Sequence, residues 1–96
     1  MKNNRYEITV RKLENADDVL RLPNPLVFEV SNHDEILGVV ERLKQRGDFS
    51  EEQATALGVG LKLFGEVMLE NRQHPLFKEI FPAFGEFMKS LKRGTA

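Results

Sequence analysis

The run from Ala54 to Glu70 (ATALGVGLKLFGEVMLE) constrains this chain most. Wound as an α-helix it is apolar or small over roughly two thirds of its circumference, leaving one narrow polar stripe of Thr55, Lys62, Glu66 and Glu70. A surface helix of a small domain usually shows the reverse proportion. This helix is therefore expected to be covered by several neighbours at once. Ser50 and Gln53 form a capping box ahead of it, Glu51 and Glu52 sit at the positive end of the dipole, and the helix is read from there to about Arg72.

The remaining segments supply the cover. Arg5 to Leu13 alternates, with Tyr6, Ile8 and Val10 on one side and Arg5, Glu7, Thr9 and Arg11 on the other, the pattern of a half-buried strand. Residues 14–25 are rich in turn formers and read as a loop with room for a short extra strand. Leu26–Val30 is a second strand with Leu26, Phe28 and Val30 inward. A helix follows, capped either by Asn32 with Glu35 or by Ser31 with Asp34, with Ile36, Val40 and Leu43 as its buried stripe and Gly47 as a left-handed C-cap.

His74-Pro75 interrupts the central helix. The apolar residues from Leu76 to Leu91 stay in phase across Pro82, which predicts one helix kinked there, with two abutting helices as the fallback, ended by Gly94. The expected fold is α+β in the order ββααα: a small two-stranded antiparallel sheet packed on a helical layer, forming a single domain over residues 1–96.

Three glycines inside the central helix ask for an explanation, because each costs ~1 kcal/mol relative to alanine. Gly58 and Gly65 lie on nearly the same side as Leu61 and form a shallow groove, suited to close approach of a neighbouring helix or a partner subunit. Their spacing is not that of a phosphate-binding loop.

Chemically, the sequence is sparse. His33-Asp34 at the strand-to-helix junction, with His74 as the second imidazole, is the one cluster with potential for ligand or metal binding. Helix-start chemistry accounts for the same acids without further assumptions. The serines lack a nucleophile motif, Glu66 and Glu70 read as solvated, and Phe77, Phe81, Phe84 and Phe87 read as core. The chain has no cysteine, which excludes disulfides and thiolate sites, and nothing calls for an oxidising compartment. Its net charge is −1, with a basic start, an acidic middle and a mildly basic end, so no overall field draws nucleic acid. No signal peptide or membrane-length apolar run is read, and no cofactor or metal is expected.

The segments Phe28–Glu35, Gly60–Arg72 and Phe84–Lys89, taken together, resemble a family of short, uncharacterised bacterial proteins catalogued as domain of unknown function 3861. The likeness runs over nearly the whole chain, and it implies a small bacterial cytoplasmic protein without implying a reaction or ligand. Two strands alone leave open edges, so a homodimer is expected, its sheet completed by a second copy. The functional expectation is a non-enzymatic homodimeric interaction or regulatory module of the cytoplasm, binding neither nucleic acid nor membrane and open to a further protein partner. The alternative is a small-molecule- or metal-binding protein, or a minor enzyme, with its site at His33, Asp34 and His74.

Overall fold

The computed structural model describes residues 3–14 and 22–93, and these fall into two compact units, Met1–His33 and Asp34–Ala96. The sequence expectations of a short extra strand near residue 19 and of a helix stop at Gly94 lie outside the described residues.

The first unit is a β-hairpin. β1 (Asn4–Val10) and β2 (Leu26–Asn32) pair antiparallel, from Asn4 opposite Asn32 to Val10 opposite Leu26. Opposed residues share a face, so Tyr6, Ile8 and Val10 lie with Val30, Phe28 and Leu26, as the period-two pattern requires. On the other face Glu7 lies opposite Glu29, an unfavourable like-charge pair, and the Arg5 guanidinium donates to the Glu29 carboxylate to relieve it. Past Val10 the Asn24 side chain stands in for backbone. Its Oδ1 accepts from the Lys12 N–H at 2.9 Å and its Nδ2 donates to the Lys12 carbonyl at 3.3 Å.

The second unit is helical. α1 (Ile36–Arg46) begins later than either capping box in the sequence suggests. β2 extends through Ser31 and Asn32, and Asn32 is buried, so both candidate caps are spent in the hairpin. Glu35 takes the cap instead, its Oε2 accepting from the Gly38 N–H at 2.9 Å. Gly47 closes the helix at φ 83°, the left-handed conformation glycine adopts without a Cβ penalty. α2 (Glu51–Glu70) starts with both halves of the Ser50/Gln53 capping box in place.

The core of the helical unit draws on the facing sides of α1 and α2 and, further along α2, on Met68. Ile36, Val40 and Leu43 of α1 and Ala54, Gly58 and Met68 of α2 are buried. Each of the larger side chains contributes roughly 1.5–3 kcal/mol by leaving water. Gly58 sets the separation. A Cβ there would stand 2.9 Å from Val40 Cγ2, 3.2 Å from Leu43 Cδ1 and 3.3 Å from Val40 Cα, so any side chain would force Val40 and Leu43 to give way. Gly65 instead meets the Phe84 ring at an ordinary 3.7 Å, and Gly60 faces open space, where nothing in the structure explains it.

Beyond α2 the order becomes ββαααα. Asn71 ends α2, and in place of one kinked helix the fallback of two is found: α3 (Pro75–Lys78) and α4 (Phe81–Arg93). Pro82 is the cause. It has no N–H for the Lys78 carbonyl four residues back, and its ring crowds that carbonyl, so the helix stops at Lys78. In the first turn of α4 the missing donor is harmless, and the Phe84 N–H donates to the Ile80 carbonyl at 2.8 Å.

The glycines give a paired prediction. Gly58→Ala gains ~1 kcal/mol of helix propensity but incurs overpacking of ~1–3 kcal/mol against the β-branched Val40 and its backbone. The expected net effect is a lower melting temperature. Gly60→Ala meets nothing and is expected to raise it, through a stability gain of up to ~1 kcal/mol. Thermal unfolding followed by circular dichroism checks both, and equal shifts in the two variants would contradict the packing argument.

Candidate functional site

Of the three candidate ligand residues from the sequence, His33 and Asp34 are consecutive in the connection from β2 to α1, and His74 stands at the start of α3. His33 is an exposed bend residue closing the hairpin unit. Asp34 opens the helical unit and pairs with Lys62 of α2, whose Nζ lies 2.5 Å from its Oδ2. Lys62 is mostly buried, so this pair ties the segment entering α1 to the middle of α2. His74 caps α3: its Nδ1 accepts from the Leu76 N–H at 3.1 Å and its ring leans on Phe77. That hydrogen bond occupies the nitrogen lone pair a metal would need. Among the described residues no three His, Asp or Glu side chains are grouped to hold a metal ion.

The interface candidates are more closely grouped. Gly58 receives α1 and Gly65 receives the Phe84 ring of α4. Leu61, between them on α2, lines a cavity of about 100 Å³. Val39 and Leu43 of α1 and Met88 and Leu91 of α4 complete its apolar wall. Arg42, Lys62 and Lys92, one from each helix, line the same cavity, and no acidic side chain does. The sequence shows these cations only as surface positions. Only the crossing of three helices brings them to one place.

A row of rings lies on the same unit. Phe64 of α2 meets Phe77 of α3 and Phe84 of α4 edge-on, with centroids 6.0 and 5.5 Å apart, and Phe84 continues to Phe87 at 6.4 Å. These contacts hold α3 and α4 to α2, each supplying ~0.5–1.5 kcal/mol beyond simple burial. They do not seal the row: Phe64 and Phe87 remain 39% and 45% exposed, and no residue of α4 is fully buried.

Arg46 makes the second attachment of α4. From the end of α1, its Nη1 donates to the Leu91 carbonyl at 2.7 Å, satisfying one of the last acceptors of α4, which have no partner within their own helix. Its Nε and Nη2 grip the Asp48 carboxylate at 2.8–3.2 Å. Those hydrogen bonds hold the Asp48 carboxyl below the usual carboxylate range, with partial desolvation opposing them, and they raise the Arg46 pKa in return. Nothing local in the sequence announces the reach from Arg46 to Leu91. The acid two residues on was the only available hint.

A two-stranded hairpin followed by four helices, with a small cavity among α1, α2 and α4, defines a small α+β protein. The chain belongs to the family DUF3861, described as a domain of unknown function with a solved structure, whose profile matches residues 4–93. It is similar to the crystal structure of a protein of unknown function from Pectobacterium atrosepticum SCRI1043, at 41% sequence identity. The likeness covers 96% of this chain and 99% of that one, with a TM-score of 0.83. No curated protein matches the chain. Among the described residues no helix is long and apolar enough to cross a membrane.

The Asp48 shift has a sign. A depressed folded-state pKa contributes stability above the ordinary Asp value of ~4, and that stability is lost as pH falls through the folded value. Asp48→Asn is therefore expected to lower stability at neutral pH and to lessen its fall between about pH 5 and 2. Urea unfolding across that range measures both, and an acid limb unchanged in the variant would contradict the assignment.

Proposed function

We propose that this protein is a non-enzymatic interaction module of the bacterial cytoplasm that acts as a homodimer. The observation carrying this reading is the hairpin. Two strands form the whole of the described sheet, leaving the outer backbone edge of each strand without a ladder partner there. Its apolar face is poorly covered, with Val10 58%, Leu26 49% and Phe28 38% exposed. Open edges and an uncovered apolar face favour strand addition, and a second copy brings a self-complementary surface at no cost in specificity. The phenylalanine row supports the same reading, as a second apolar surface available to a protein partner.

The helical unit adds support. Its polar side chains are engaged in caps, ion pairs and helix attachment: Glu35 and His74 cap helices, Asp34 meets Lys62, and Arg46 meets Asp48 and Leu91. Such groups are positioned to hold the fold.

Multi-angle light scattering tests the proposal. The parent protein is expected to give twice the chain mass at tens of micromolar. Phe28→Lys, which places a charge on the apolar face of the hairpin, is expected to move that mass toward the single chain while the helical circular-dichroism signal is retained. A parent mass equal to one chain at every concentration up to several hundred micromolar would overturn the dimer.

A further inference from the structure

We infer that the second copy adds antiparallel along the outer edge of β1, with the two-fold axis at Thr9, so that Glu7 of each chain faces Arg11 of the other. The inference rests on the homodimer reading and names the edge and the register that the dimer uses. The backbone argues first. Continued past Val10 and Leu26, the hairpin register sets Lys12 opposite Asn24, and there the Lys12 N–H and C=O both turn to the Asn24 side chain. Successive residues of an extended strand point these groups to alternate sides. Glu7, Thr9 and Arg11 therefore turn theirs to the outer edge of β1, where an added strand exchanges hydrogen bonds with them. The bonds at Lys12 keep the chain aligned with the hairpin, so Arg11 belongs to that edge although β1 ends at Val10.

Charge argues second. Glu7 lies opposite Glu29; Arg5 donates to Glu29, and Glu7 accepts from the Thr9 hydroxyl at 3.5 Å. Glu29 thus has its cation and Glu7 a hydroxyl. A two-fold axis at Thr9 brings the second copy's Arg11 to Glu7, and does so twice. It also sets Thr9 against Thr9, a favourable cross-strand pair. On the opposite face it sets Ile8 against the exposed Val10, again twice. Other registers of this edge answer less. Centring on Glu7 sets the acid against itself, and centring on Ile8 sets Arg5 against Arg11. Centring on Val10 leaves Glu7 opposite Leu13. Centring on Tyr6 sets Arg5 against Glu7, but Arg5 is held by Glu29 and Ile8 falls opposite Asn4. Along β2 the same face offers Val27, Glu29 and Ser31, one acid and no base, so no two-fold pairing of that edge answers Glu29.

Sedimentation equilibrium of the full chain at low salt tests the pairing by reversing its charges, with circular dichroism reporting the fold. Both positions are exposed, so the variants keep the core intact. Glu7→Arg sets arginine against arginine in each half of the interface, and Arg11→Glu sets acid against acid. Each is expected to weaken dimerisation by about tenfold or more. The double variant, Glu7→Arg with Arg11→Glu, restores both ion pairs and is expected to return to within about threefold of the parent. In an equimolar mixture of the two single variants, every contact between unlike chains joins opposite charges. The mixed dimer is therefore expected to outweigh either homodimer, as native mass spectrometry resolves. Thr9→Cys is expected to give a disulfide-linked dimer on mild oxidation, since directly opposed residues stand ~5.5 Å apart at Cα. Single variants that dimerise like the parent, a double variant that recovers nothing, or a statistical mixture would each overturn the pairing while leaving the dimer in place. So would cross-linking through Val27→Cys instead of Thr9→Cys, which would assign the interface to β2. A parent that stays a single chain at every concentration removes the dimer itself, and the pairing with it.

Discussion

The helical unit depends on the absence of one methyl group. At Gly58 the backbone of α2 comes within ordinary side-chain reach of the α1 backbone, and the Val40 and Leu43 side chains close over the space where a Cβ would stand. That contact fixes how near the two helices lie, and Ile36, Ala54 and Met68 are buried on the same two helices. The loss of helix propensity at Gly58, ~1 kcal/mol, is repaid by dense packing between two apolar stripes. α3 and α4 are added to this pair by contacts of a different kind: rings meeting edge to face, and one guanidinium reaching a helix end.

Much of this was legible because it is local. The alternation of Tyr6, Ile8 and Val10 against Arg5, Glu7 and Thr9 gave the strand its faces, and Ser50 with Gln53 gave α2 its start. Gly47 marked the end of α1 by the one backbone conformation that favours glycine. The start of α1 was misplaced because two legal capping boxes overlapped a strand that had a prior claim on their residues. Local capping chemistry does not know that Asn32 pairs with Asn4. Pro82 was weighed too lightly for the opposite reason. The apolar phase runs through it unbroken, but phase records which way side chains point and not whether a backbone donor exists.

The candidate site was legible only in pieces. His33, Asp34 and His74 drew notice as residue types, yet the structure spends Asp34 on Lys62 and His74 on a helix cap. The cations around the cavity were passed over because Arg42, Lys62 and Lys92 are ordinary when read one helix at a time. That they line one cavity shows only in the tertiary arrangement. Arg46 is the same case, since its partner is a backbone carbonyl forty-five residues away and any residue type offers one.

That Arg46 bond bears on how the molecule comes apart. α4 has no fully buried residue, so its hold on the rest of the unit comes chiefly from Phe84 towards its first turns and from Arg46 at its last. Elements secured this way open before those clamped along a whole face, and they do so without the core yielding. α4 is thus held by a ring contact towards one end and a guanidinium at the other. Its amides should exchange with solvent sooner than those of the two helices beneath it, fastest when the guanidinium lets go.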